Sequence, residues 1–323
     1  MLGFIGVFGS LALLIYLTVR GVNILIAAPI AALIAAVCSE ISLFPQLAQE
    51  GNPDLLTSYM NGFTSFIGSW WLIFLAGAIF GKVMEDSGAA DSVSKWIVEK
   101  IGVKYAALSV VIACAVLTYG GVSLFIVAFS VFPMALSLFK QADIPRRFIP
   151  ATLALGSVTF TMTSAGSPEI QNWIPISYLN TTPYAGWEVS LVVSIVMATF
   201  GFWWLKRMMS KAMEKGERFV AKEFDKINEV NDRPLPHPLL SMTPLLVVLL
   251  FSFIFHNSIG TSALIIALIG GILTTYLVSY KYMQNRQKAI SEGGLGAVIA
   301  IANTAAIVGF GGIVKETPAF LAA

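Results

Sequence analysis

The chain has 323 residues, of which 57% are hydrophobic and only 12% charged, with a formal net charge of +2 and a mean hydropathy of +0.80. Soluble domains carry about 25% charged residues, so this balance excludes an ordinary soluble protein and indicates a polytopic, all-α integral membrane protein whose first partner is the lipid bilayer. Its basic residues lie between apolar runs rather than in one patch, which excludes a nucleic-acid partner and makes them markers of topology.

The chain opens on the apolar run Leu2–Val19, with no basic residue ahead of it and Arg20 behind it, so it reads as a first spanning helix rather than a signal peptide. A span needs about 20 mostly apolar residues. Further candidates are Val22–Leu43, Phe63–Lys82, Tyr105–Tyr119, Val122–Phe139, Phe148–Ala165, Trp187–Lys206, Ser241–Phe255, Thr261–Tyr280 and Leu295–Val314, some of them too short to cross alone. Lys and Arg fall in the connections Lys82–Lys104, Lys140–Arg147, Lys206–Arg233 and Lys281–Lys288, and are missing from Phe44–Asn61, Gly120–Gly121, Ser167–Gly186 and His256–Gly260. Because basic loops stay in the cytoplasm, this alternation predicts an external N-terminus; the expected location is a bacterial inner membrane.

The connection near residues 207–236 mixes signs (Lys211, Glu214, Lys215, Glu217, Arg218, Lys222, Glu223, Asp225, Lys226) at spacings that allow i,i+3 and i,i+4 pairs. It reads as a solvated amphipathic connector, or alternatively as a lipid-surface helix, ended by Pro234-Leu-Pro-His-Pro238. Cys38 and Cys114 lie in apolar runs without metal-ligand spacing and read as small buried residues. No phosphate loop, HExxH or GxSxG occurs, so neither ATP-driven transport nor hydrolase chemistry has local support, and no cofactor or metal is expected.

Gly81-Lys-Val-Met-Glu85 and Gly312-Ile-Val-Lys-Glu316 resemble each other, and each follows two spans joined by a short turn. In the topology above the two copies run in opposite directions, which predicts an inverted-repeat secondary transporter. The expected organisation is a first repeat over 1–206 (scaffold 1–60, transport segment 61–206), a charged linker over 207–240, and a second repeat over 241–323 that is incomplete, as though the C-terminal part were truncated.

Two interruptions stand out. Tyr105–Tyr119 covers only about 22 Å at 1.5 Å per residue against a core of about 30 Å, and it turns into Val122–Phe139 at Gly120-Gly121. This predicts a re-entrant hairpin with Gly120, Gly121 and Ser123 at its tip, or alternatively a tilted helix pair. The second is the polar block Thr161-Met-Thr-Ser-Ala-Gly-Ser-Pro-Glu-Ile-Gln-Asn172, which survives at membrane depth only where protein or water surrounds it.

Within that block Pro168 predicts a helix start, with Ser167 as N-cap, Glu169 in the first turn and free N–H groups facing Thr163–Gly166, an end suited to a carboxylate. Candidate substrate ligands are therefore Gly120, Gly121, Ser123, Thr161, Thr163, Ser164, Gly166, Ser167, Gln171 and Asn172, with interhelical hydrogen bonding as the alternative role of the last two. Glu169 is a capping residue, a proton or cation acceptor, or a surface residue. Glu85 and Asp86 are coupling carboxylates or solvated interface residues.

The segment Phe80-Gly-Lys-Val-Met-Glu-Asp-Ser-Gly-Ala-Ala90 resembles the gluconate permease family, and the similarity extends through Gly120-Gly-Val-Ser-Leu124 and Gly166–Asn172 to Gly311-Gly-Ile-Val-Lys-Glu-Thr-Pro318. The block Ser164-Ala-Gly-Ser-Pro-Glu169 departs from the His/Pro-rich form of true gluconate permeases and is nearer that of uncharacterised or citrate-like relatives. The resemblance implies an organic-acid permease of the ion-transporter superfamily: inverted repeats with re-entrant hairpins, a homodimer, an elevator-like movement and a small carboxylate substrate, with H+ rather than Na+ as coupling ion. The alternative is a non-transporting membrane fragment or subunit of such a permease.

Overall fold

The computed structural model describes residues 2–49, 52–221 and 233–321; the expected pairs among Lys222, Glu223, Asp225 and Lys226 lie outside them. Among the described residues there is no β-strand, only an isolated bridge between Ser42 and Asp54. The chain forms helices α1 (Leu2–Val19), α2 (Ile24–Cys38), α3 (Leu55–Asp86), α4 (Ala89–Ile101), α5 (Ala106–Tyr119), α6 (Leu124–Gln141), α7 (Ile149–Thr163), α8 (Ile170–Leu179), α9 (Trp187–Glu214), α10 (Pro238–Ile259), α11 (Ser262–Ser279), α12 (Arg286–Glu316) and α13 (Pro318–Leu321). Among the described residues five helices are long and apolar enough to cross a bilayer, six if the pair α4–α5, bent by 101° at Gly102, counts as one span.

Each apolar segment read from the sequence is helical, but three expectations need correction. Helices α3 (32 residues) and α12 (31 residues) run well past the predicted apolar limits, because hydropathy marks the depth of hydrocarbon and a helix continues wherever polar ends find water or partners. The stretch Lys82–Lys104, expected as a loop, contains α4. Its Ala89, Ala90, Val93 and Ile97 recur at helical spacing and are buried, so it is an amphipathic helix rather than a connector. In the charged connection, α9 continues to Glu214, and the ion pairs beyond it reach another loop instead of lying within a helix: Arg147–Glu217 at 2.8 Å and Arg218–Asp143 at 3.2 Å.

The helices form two compact units, Met1–Phe74 with Leu295–Ala323, and Leu75–Gly294. In the first, α1 and α2 make a hairpin. Helix α2 buries Ala27, Ala28, Ala31, Ala32, Ala35 and Ala36 on one face, a small-residue stripe of the kind that lets apolar helices approach closely where lipid removes the hydrophobic drive. Phe310 and Ile313 of α12 complete that core, and Tyr59 donates to the Ala306 carbonyl at 3.1 Å. Here α3 and α12 run antiparallel in close contact: a Cβ on Gly62 would lie 2.8 Å from the Val308 oxygen, and one on Gly312 would lie 2.7 Å from the Ser58 oxygen.

In the second unit α5 packs on α4, α6 and α7, while α10 and α11 form a hairpin and α4 also touches α10. Phe80, Met84, Leu117, Phe139 and Trp173 are among its fully buried side chains. Both cysteines are free, Cys114 buried and Cys38 half-buried.

Because backbone cannot move aside as a side chain can, Gly62→Ala should destabilise the protein by about 1–3 kcal/mol. Gly68→Ala, with no atom within 4 Å of its would-be Cβ, should be neutral. Thermal unfolding of the two variants in detergent checks the contrast.

Candidate functional site

The two interruptions singled out in the sequence come together in the second unit. Helix α5 ends at Gly120, Gly121 turns with φ +95°, and α6 starts at N-cap Ser123; α7 ends at Ser164, and α8 starts only at Ile170. The hydroxyl of Tyr119 donates to the Ala165 carbonyl at 3.0 Å, tying one break to the other. A Cβ on Gly121 would lie 3.1 Å from Pro168 Cγ and 3.3 Å from Val248 Cγ1, and one on Gly81 of α3 would lie 3.7 Å from the Ser123 nitrogen. The hairpin tip is thus seated between the polar block, α10 and α3.

Inside the block most dipoles are used by protein. Asn172 donates to the Ser164 carbonyl at 2.9 Å, the Thr161 carbonyl at 3.2 Å and the Ser167 carbonyl at 3.5 Å. Buried Trp173 donates through Nε1 to the Ser167 carbonyl at 3.1 Å. Thr161 bonds back to the Ser157 carbonyl at 2.5 Å, and Thr163 to that of Thr159. Helix α9 supplies two serines: Ser194 Oγ meets Ser164 Oγ at 2.7 Å and donates to Thr163 Oγ1 at 3.2 Å, while Ser190 Oγ accepts from the Ala165 amide at 3.0 Å. Gly166, at φ +80°, donates its amide to the Pro183 carbonyl at 2.8 Å.

Helix α8 begins later than expected. Its N-cap is Glu169 rather than Ser167, because the Ser167 carbonyl is held by Trp173 and Asn172, while Ser167 Oγ accepts the Glu169 amide at 3.4 Å and so closes the turn outside the helix. Neither Ser123 nor Glu169 caps its helix with a side chain, so two helix N-termini without side-chain caps belong to the two joined breaks. One oxygen of Glu169, Oε1, is buried and accepts no hydrogen bond. Gln171 is exposed on α8. Glu85, one turn past Gly81, pairs with Lys82 at 2.9 Å, and Asp86 accepts from the Asn285 amide at 3.1 Å.

Beside the breaks lies a cavity of about 560 Å³ lined by Tyr119, Gly120, Ser164, Ala165, Trp187 and Ser190 and by apolar residues of α5, α7, α9 and α10.

Broken helices joined at membrane depth are how many transporter folds place polar backbone where a solute can reach it. Comparison with known proteins agrees: residues 11–319 match the family model CitMHS, described as citrate transporter. The chain belongs to this citrate transporter family. It is 35% identical over 349 residues to the uncharacterized transporter YxjC of Bacillus subtilis (strain 168), covering 96% of this chain and 72% of that protein. It is 34% identical over 103 residues to a high-affinity gluconate transporter of Escherichia coli (strain K12), covering 31% of this chain and 23% of that one. An uncharacterized transporter of Haemophilus influenzae is 26% identical over 203 residues, covering 62% and 46% respectively. The protein is an integral membrane permease and not an enzyme, and its similarity to the gluconate transporter is confined to a third of its length.

As a member of the CitMHS family the chain carries features its sequence left unmarked. Tyr119, Trp173, Ser190 and Ser194 hold the block, yet only the two serines carried a signal, being hydroxyls four residues apart on an apolar span. Tyr119 and Trp173 could not be told from interfacial aromatics without knowing that α5 and α7 are neighbours.

Gly166 tests how tightly the block is held. Its positive φ disfavours a side chain, and a Cβ there would lie 2.3 Å from the Tyr184 ring. Gly166→Ala should cost about 1–3 kcal/mol. Combining it with Tyr184→Ala should recover the steric part, leaving a measurable coupling in a double-mutant cycle of thermal stability.

Proposed function

We propose that this permease is a secondary active transporter of small organic anions bearing carboxylates, of the citrate-like or gluconate-like hydroxy acid class, working by proton symport. The observation that carries this reading is the pairing of two helix N-termini without side-chain caps, at Ser123 and Glu169, on two breaks that hydrogen-bond to each other. Backbone N–H groups at such ends stabilise negative charge, and two of them on one solute suit an anion with more than one oxygen-rich group. The family description and the gluconate transporter among its relatives favour the same class.

Within this reading the start of α6 at Ser123 offers backbone donors, Gly120 and Gly121 form the turn that presents it while their own amides bond to the Val116 and Thr118 carbonyls, and Gln171 is an exposed amide on the helix that starts at Glu169. Asn172, Thr161, Thr163, Ser164 and Ser167 shape the loop that presents the backbone. Glu169 is the coupling group, because a carboxylate oxygen with no donor is ready to take up a proton when an anion arrives beside it. Glu85 and Asp86 are then structural, through Lys82 and the start of α12. The hairpin α1–α2 before the 32-residue α3, and the hairpin α10–α11 before the 31-residue α12, favour the inverted-repeat organisation. The same reading takes the protein as a homodimer in the bacterial inner membrane, with its N-terminus outside.

In proteoliposomes with an imposed pH gradient, at least one acid from a panel of citrate, gluconate and short hydroxy acids should accumulate, and a protonophore should abolish the accumulation. Glu169→Gln should reduce gradient-driven uptake by about tenfold or more while leaving counterflow exchange of the same acid intact. Uptake indifferent to the protonophore but dependent on sodium would overturn proton coupling. No uptake of any acid by correctly inserted protein would overturn the substrate class.

A further inference from the structure

We propose that the ion pair Arg233–Asp91 is a positioning device that sets the seat of the hairpin tip, acting through α6 and α10; this rests on the reading of the tip as part of the transport site. The side chain of Arg233 is only 18% exposed and its fork makes three bonds: Nη2 lies 2.6 Å from Asp91 Oδ2 and 2.8 Å from the Glu85 carbonyl, and Nη1 lies 3.1 Å from the Asp86 carbonyl. The other oxygen of Asp91, Oδ1, accepts from Ser130 of α6 at 2.9 Å. Three helices and the segment leading into a fourth therefore meet at one charge pair.

The electrostatics favour this arrangement at every point. The last carbonyls of α3 carry the negative end of its dipole, which a guanidinium compensates even though the Glu85 carbonyl also accepts the Gly88 amide at 3.0 Å. Asp91 stands in the first turn of α4, where the dipole favours an anion. Arginine suits the position better than lysine, because its planar fork can bond a carboxylate and two carbonyls at once.

Both arms of the device lead to the tip. Ser130 stands seven residues, about 10 Å, along α6 from N-cap Ser123. On the other arm, Arg233 begins the segment that is also fixed by the bond from Ser92 Oγ to the Pro236 carbonyl at 2.5 Å, and Pro238 then starts α10. Two to three turns along α10, Leu245 and Val248 lie against Gly120 and Gly121, where a Cβ would come within 2.8 and 3.3 Å of them. Removing the guanidinium leaves the Asp91 carboxylate without its counter-charge and cuts the link between the α6 anchor, which keeps the Ser130 bond, and the segment before α10, which keeps the Ser92 bond, so the two arms no longer share one reference.

The test reads the tip directly, with no need of a substrate. Ser123→Cys in a chain with Cys38→Ala and Cys114→Ala is labelled with a membrane-permeant maleimide in vesicles, alone and combined with Arg233→Ala, Arg233→Lys or Asp91→Asn. The expected result is a labelling rate changed by about fivefold or more in Arg233→Ala and Asp91→Asn, and brought part of the way back in Arg233→Lys. Ser92→Ala, which removes a neutral contact on the same segment, should leave the rate within about twofold. Where an acid is transported, Arg233→Ala should raise its half-saturation concentration by about tenfold at a maximal rate per inserted molecule within twofold of the parent. Labelling unchanged in Asp91→Asn and in whichever arginine variants insert would overturn the positioning role whatever the protein carries. A failed uptake panel with altered labelling would instead count against the substrate class alone.

Discussion

A helix that breaks inside a bilayer must find partners for its freed carbonyls and amides within the protein, since hydrocarbon offers none and each orphan costs several kcal/mol. That requirement organises the second unit of this permease. The carbonyls of Thr161, Ser164 and Ser167 converge on one amide, that of Asn172, with Trp173 adding a second donor to Ser167. The Ala165 amide and carbonyl go to Ser190 and Tyr119 respectively. Satisfying the break therefore recruits α5, α8 and α9, and the packing of those helices follows from it. The two N-termini differ in kind from these groups, because a solute can serve them in place of protein.

The same economy explains which parts were legible in the sequence. Long apolar runs gave the helices, and the polar block announced itself as something only protein or water could surround. Gly120 and Gly121 marked the turn because few residues besides glycine allow two helices to reverse so tightly against Leu245 and Val248. Helix α4 was hidden by its composition, since Asp86-Ser-Gly-Ala-Ala-Asp91 reads as a polar turn until one sees that its small residues are the buried face of a helix. The N-cap of α8 was misplaced by two residues for a related reason. Local capping rules favour Ser167, but a tertiary donor, Trp173, claims its carbonyl, and no property of residues 167–170 alone reveals that.

Arg233 and Asp91 were invisible for yet another reason. They are 142 positions apart, on either side of most of the unit, and each looks ordinary in its neighbourhood: a basic residue in a charged connection and an acidic one in a helix's first turn. The physical signal exists only once the end of α3 and the start of α4 are placed together, where a guanidinium has three acceptors within reach. Pairings of this kind fall outside hydropathy and motif reading because the attraction within them depends on how far the fold shields both charges from water, a property of the folded neighbourhood and not of either residue.

The cavity beside the breaks sharpens what the site can hold. Its hydroxyls are already committed, Tyr119 and Ser190 to Ala165 and Ser164 to Ser194, and apart from Trp187 the remainder of the side-chain wall is apolar. An anion placed there would face a largely hydrocarbon-like surface with little to meet it besides the Trp187 indole, at a desolvation cost that this wall offsets poorly. A charged solute is therefore better served at the helix ends, where N–H groups of α6 and α8 are not capped by side chains, than in the larger space next to them. Volume and chemistry thus point to different places in this unit, and for a carboxylate the chemistry has the greater energy.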